Sequence, residues 1–118
     1  KEYKNLKDIK LALQVGPRLV IDGTIPKLKA SVAARSGIGI TSSGKIIIAI
    51  TEGPGISMNE FAKRMSRSRL DGGFDCPNAM ALDGGSSSQL YAKIKKFKLS
   101  LPGLVRVTNG LAVYNGLR

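Results

Sequence analysis

The sequence has no histidine, no tryptophan and one cysteine, and its 19 lysines and arginines outnumber its eight aspartates and glutamates. The missing histidine removes the usual general base near neutral pH, so any chemistry falls to carboxylates, hydroxyls, lysines, arginines or backbone amides. A lone Cys76 excludes an intrachain disulfide, and without histidine it leaves no soft ligand set for a structural zinc. Its expected role is that of a small buried hydrophobe. The net charge of +11 attracts phosphate-bearing ligands, nucleic acid or anionic membranes without choosing among them. Nucleic acid is disfavoured despite the cluster Lys93, Lys95, Lys96 and Lys98, because the few aromatics do not interleave with the basic residues as stacking platforms do. No apolar run approaches the ~18 residues of a bilayer span. Residues 1–10 are too charged for a signal peptide.

What is present is a chain of 118 residues, the size of one domain, with 42% apolar residues and 14 glycines between short Ile, Val and Leu runs. That pattern predicts an α+β fold with a mixed, largely antiparallel sheet and two or more helices. Tyr3, Leu6, Ile9 and Leu13 recur at helical spacing over residues 1–12, with a solvated stripe of Lys1, Lys4, Lys7 and Lys10. Strands are expected at Leu19 to Ile21, and at Ser36 to Ile40 and Lys45 to Thr51 joined through Ser42-Ser43-Gly44. Ile46, Ile47, Ile48 and Ile50 suggest an interior strand buried on both faces. Ser57 followed by Glu60 has capping-box spacing and predicts a helix ending near Arg69. Further strands are expected at Ala79 to Leu82, Gln89 to Ala92, Phe97 to Leu101, Val105 to Val107 and Leu111 to Tyr114. The alternation of Phe97, Leu99 and Leu101 with Lys96, Lys98 and Ser100 reads as an edge strand guarded by lysines.

The segment Ala79 to Leu90 carries the strongest chemical signal. A buried strand would deliver Asp83 to a fixed place, and Gly84 and Gly85 would let the backbone approach a ligand closely. Successive amides of such a turn can cradle an anion, with the hydroxyls of Ser86, Ser87 and Ser88 as further donors. The bland alternative is a tight turn in which Asp83 caps its own loop. A second Asp-Gly-Gly, at Asp71 to Gly73, follows a helix and has no strand to position it, so it is expected to be an ordinary loop. Arg35, opening the Ser36 strand, could hold a phosphate through two parallel bonds, or stand in a surface ion pair. Gln14, beside the Gly16-Pro17 turn, could meet a sugar hydroxyl or an acetamido group, or satisfy its own backbone.

In order and spacing, Gln14 to Val20, Ala34 to Ile40, Ser57 to Ala62, Ala79 to Leu90 and Val107 to Val113 resemble the phosphodiester glycosidase family. Its members cleave the bond between a sugar's anomeric carbon and a phosphodiester. The resemblance implies hydrolysis of a sugar-1-phosphodiester, expected to carry an N-acetylaminosugar, with release of the sugar and a phosphomonoester. It implies Asp83 as catalytic residue and Arg35, Gly84, Gly85, Ser86, Ser87 and Gln14 as the substrate-binding set. No cofactor is expected, and metal use is left open. The family domain normally begins earlier, with a glycine-rich loop that nothing in residues 1–14 resembles. Residues 1–118 are therefore expected to form the C-terminal part of the domain, with an upstream segment or a second chain completing the site. The alternative is a catalytically inactive module that binds a sugar phosphate or an envelope glycopolymer. An exported or envelope location is implied by the resemblance alone. A second carboxylate, which many glycosidases need, would come from Glu52, Asp22, Asp71 or the upstream part.

Overall fold

The computed structural model describes residue 7 and residues 9–115. The helix expected over residues 1–12 lies largely outside them, and residues 9–12 are neither helix nor strand. Eight strands follow: β1 (Arg18–Val20), β2 (Val32–Ala33), β3 (Ser36–Ile40), β4 (Ile46–Ile50), β5 (Ile56–Ser57), β6 (Asn78–Ala81), β7 (Leu90–Ile94) and β8 (Phe97–Leu101). The helix α1 (Met58–Ser66) stands between β5 and β6. The main sheet has the order β1-β6-β3-β4, and β2-β5 and β7-β8 form separate ribbons. All these pairings are antiparallel. The fold is α+β, with one α-helix among the described residues, accompanied by 3-10 turns at Arg69–Asp71 and Gly85–Ser87.

Helix α1 starts where the capping spacing places it, with Ser57 Oγ accepting from the Glu60 amide at 3.1 Å. It stops at Ser66, earlier than expected, because Arg67 leaves helical geometry and Ser68 caps the 3-10 turn instead. Phe61, Ala62 and Met65 face the main sheet and join Leu19, Val20, Cys76, Ala79 and Ala81 in the core. The sheet makes room for them with small residues. Gly39 pairs with Ala79 on one side and Ile47 on the other. A Cβ there would come within 2.8 Å of Cys76 Sγ and 2.9 Å of Met65 Cε. Cys76 is fully buried, as a small hydrophobe should be.

Two strand expectations are corrected. The isoleucine run β4 is an edge strand and not an interior one, with Ile46 58% and Ile48 41% exposed. Its alternate residues Ile47 and Ala49 pack towards the core while Ile46 and Ile48 lie on the face that α1 does not cover, so an unbroken apolar run reflects one packed and one open face. Val105 to Val107 and Leu111 to Tyr114 form no strands. The amides of Leu104 and Val105 both donate to the Ser86 carbonyl, which ties that segment to a turn and not to a sheet. β6, by contrast, is interior between β1 and β3, one residue ahead of its expected position.

Candidate functional site

The end of β6 and the start of β3 meet at one place. The Leu82 amide donates to the Ser36 carbonyl at 2.8 Å, and the Gly85 amide to the Ala34 carbonyl at 2.8 Å. One residue, Arg35, separates those two acceptors, whereas two residues, Asp83 and Gly84, separate the donors. This is the arrangement of a β-bulge, a device that bends a strand end and re-aims a side chain. Gly84 is the residue that tolerates the close approach, since a Cβ there would stand 3.0 Å from the Ala34 carbonyl oxygen. Ser36 Oγ donates to Ser88 Oγ at 3.0 Å and pins the far end of the loop.

Arg35 is 8% exposed, and among the described residues no carboxylate lies within ion-pairing distance of it. Its charge is instead solvated by neutral acceptors. Nε donates to the Ile56 carbonyl at 3.2 Å, while Nη2 donates to the Ser31 carbonyl and, at 3.3 Å, to Ser31 Oγ. Its own amide and carbonyl pair with Thr51, through Thr51 Oγ1 at 2.8 Å and the Thr51 amide at 2.9 Å. Nη1 is left without a protein acceptor among the described residues. Because no buried side-chain nitrogen is unpaired, that nitrogen reaches the solvent boundary. A guanidinium fixed on two sides, with one donor edge open and no anion beside it, is suited to a phosphate.

Asp83 is exposed and makes no side-chain hydrogen bond within the described residues; the turn that follows it lacks a side-chain cap. It therefore does not cap its own loop. Asp71 is the opposite case: Ser68 Oγ donates to Asp71 Oδ2 at 2.6 Å and accepts from the Asp71 amide at 3.3 Å. The two Asp-Gly-Gly sequences thus differ as their positions suggest, one carboxylate free at a strand end and one engaged in a local turn.

The loop amides are less available than the anion-cradle expectation requires. Gly85, Ser87 and Ser88 donate to the carbonyls of Ala34, Gly84 and Gly85. Among the described residues this leaves the Gly84 and Ser86 amides, with serine hydroxyls, as the loop donors without an acceptor. Gln14 is exposed and forms no side-chain bond to this cluster. It precedes Pro17, whose carbonyl accepts from the Ala81 amide at 2.9 Å, so its segment runs beside β6.

Glu52 follows the strand partner of Arg35 and lines a cavity of about 460 Å³ with Thr51, Ile56, Phe61, Arg64 and Phe74. Thr51 and Ile56 are the residues that hold Arg35. Asp22 belongs to the opposite end of β6, where its amide bonds to Asn78 Oδ1 at 3.1 Å. A separate open apolar groove, also about 460 Å³, lies on the other face of the sheet between Leu13, Val15, Ile38, Ile40, Ile46 and Met80. No group of three or more Cys, Asp or Glu side chains gathers closely enough to hold a metal ion among the described residues. Nor, among them, is any helix long and apolar enough to cross a membrane.

The end of β6 thus carries an exposed aspartate, opposite a buried arginine held by neutral acceptors among the described residues. Residues 1–114 match the phosphodiester glycosidase family, and the chain belongs to that family. No curated protein and no solved structure matches it. Membership gives the function its general class, that of a phosphodiester glycosidase.

Proposed function

We propose that this chain hydrolyses a sugar-1-phosphodiester, with Arg35 on the phosphate and Asp83 at the sugar. The observation that supports this most directly is the bulge, which sets the backbone of Asp83, whose carboxylate has no partner among the described residues, opposite that of Arg35. Water adds to the anomeric carbon while the bond from that carbon to the phosphate oxygen breaks. The electron pair leaves with the phosphate, and the proton lost by water ends on the phosphomonoester. A phosphomonoester, with a second pKa near ~6, departs with less help from a general acid than an alcohol does. Electrostatic stabilisation by a positioned guanidinium is then a sound substitute for histidine.

Asp83 supplies negative charge where it can assist water or steady the oxocarbenium-like centre. Glu52 is the second carboxylate of this reading. Thr51 and Asp83 flank Arg35 from opposite sides, about two strand spacings or ~10 Å apart along the backbone. The Ser86 amide and the hydroxyls of Ser86 and Ser87 bind phosphate or sugar oxygens, Gly84 and Gly85 provide the close approach, and Gln14 meets the sugar's substituent. The sugar is an N-acetylaminosugar, and residues 1–118 form the C-terminal part of a domain whose upstream part completes the cleft.

The test is incubation of the chain, with and without the preceding part of its reading frame, with an N-acetylaminosugar 1-phosphate methyl diester. Free sugar and methyl phosphate appearing together by NMR is the expected result. Tight binding without turnover by the longer protein would overturn hydrolysis and select the inactive binding module.

A further inference from the structure

The β7-β8 hairpin is explained neither by the glycosidase site nor by edge protection. Among the described residues its strands pair only with each other, with Ala92 opposite Leu99, Lys93 opposite Lys98 and Ile94 opposite Phe97. Residues directly opposite share a face. One face therefore carries Leu90, Ala92, Ile94, Phe97, Leu99 and Leu101, and the other Tyr91, Lys93, Lys98 and Ser100. At the base the apolar face is half-buried. At the tip it is not, and Ile94 and Phe97 are 66% and 57% exposed.

Three features make this tip unfavourable for a free surface hairpin. Lys93 and Lys98 are a like-charged facing pair, which costs stability. Lys95 has φ of 52°, a left-handed conformation that turns usually give to Asn or Gly and that strains other residues through their Cβ. Lys95 and Lys96 occupy the turn, where there is no strand edge to guard, so the edge-guarding expectation does not account for them. The chain around the hairpin is of one sign: after Asp83 the sequence holds Lys93, Lys95, Lys96, Lys98, Arg106 and Arg118 and no acidic residue.

We propose that the β7-β8 tip docks on an anionic lipid surface, with Ile94 and Phe97 entering the headgroup boundary and Lys93, Lys95, Lys96 and Lys98 meeting the lipid phosphates. A bilayer surface offers negative charge and an adjoining apolar layer together, which is the combination at this tip. A soluble polyanion such as nucleic acid would use the lysines and leave the exposed isoleucine and phenylalanine unexplained. The docking is independent of the glycosidase site, because none of its residues belongs to the Arg35 and Asp83 cluster.

Co-sedimentation of the whole chain with vesicles of phosphatidylcholine alone, and of phosphatidylcholine with phosphatidylglycerol, tests the proposal. Binding only to the anionic vesicles is expected. Lys95→Ala combined with Lys96→Ala should weaken it about thirtyfold, from roughly 1 kcal/mol per lysine at such a surface. Ile94→Ser combined with Phe97→Ser should weaken it at least ~10-fold and remove the part that resists added salt. Lys95→Gly is the control for folding: it should raise the melting temperature by relieving the left-handed strain, yet weaken vesicle binding about fivefold. Equal binding to both vesicle types overturns the proposal. So does unchanged vesicle binding by the Ile94 and Phe97 variant, and so does full competition by single-stranded DNA that this variant does not alter, which would make the tip a polyanion site.

Discussion

Asp83 stands across the sheet from Arg35 with one residue too many on its own side, since the bonds that flank the pair join Leu82 to Ser36 and Gly85 to Ala34. The extra residue frees the aspartate from the ladder, while on the other side of Arg35 its backbone is held by the Thr51 amide and the Thr51 hydroxyl. One partner is thus held and the other is presented. That asymmetry suits a site in which phosphate position is set by the protein and the sugar end reacts.

Arg35→Met should abolish binding of inorganic phosphate by calorimetry and lower stability by about 1–3 kcal/mol, because the carbonyls of Ser31 and Ile56 lose their donors. Arg35→Lys keeps the charge but cannot serve both carbonyls and still present an open edge. It should regain part of the stability and little of the phosphate affinity. Phosphate binding unchanged in Arg35→Met, but lost in Lys95→Ala, would move the anion site to the hairpin.

Much of this architecture was legible and the decisive part was not. Ser57 and Glu60 announced the helix start because capping is local and depends on a spacing of a few residues. The run Ile46 to Ile50 announced a strand, but its place at the sheet edge depends on β6 filling the other side of β3. No local pattern encodes that choice. The bulge opposite Arg35 is likewise a matter of register between distant segments, and the carbonyls that solvate Arg35 come from β5 and from Ser31 just before β2, two strands of two residues each that are too short to carry a period. That Asp71 lies in a turn was readable from its place after a helix, but its bond to Ser68 belongs to a 3-10 turn that no pattern announced.

Gly39→Ala tests the packing of α1 on the sheet. The new methyl would overlap Cys76 Sγ at 2.8 Å and Met65 Cε at 2.9 Å, both in the core. The methionine end can shift more easily than the cysteine, which is held by its amide bond to the Met65 carbonyl at 2.8 Å. A loss of about 1–3 kcal/mol in urea unfolding is expected. An unchanged midpoint would show that the helix does not press on β3 as described.

Cys76 should be inert. Burial, first, and the neighbouring Asp75 charge raise its thiol above the ordinary range, against a smaller opposing pull from Arg69. The folded protein should therefore resist iodoacetamide near neutral pH and react at full rate only in denaturant. Because the folded value is the higher one, the thiol's contribution to stability is complete below the unfolded thiol's range and is lost as pH rises through the folded value. The fall in stability at alkaline pH should be steeper in the wild type than in Cys76→Ala; parallel curves would contradict the burial.

Asp83→Asn is expected to cut turnover of an N-acetylaminosugar 1-phosphodiester by at least ~100-fold, the scale of a lost acid-base group. The exchange preserves size and hydrogen bonding and deletes only the charge. Stability should change little, because Asp83 is exposed and supports no side-chain bond among the described residues. Asp71→Asn is the matched comparison within the same Asp-Gly-Gly sequence. Its amide oxygen can still accept from Ser68, so both turnover and melting temperature should stay near wild type. Loss of activity with an unchanged melting temperature at position 83 alone separates a chemical role from a structural one. Wild-type turnover in the Asp83 variant would return that aspartate to the status of a turn residue, and would shift the search for the essential carboxylate to Glu52, beside the cavity next to Arg35.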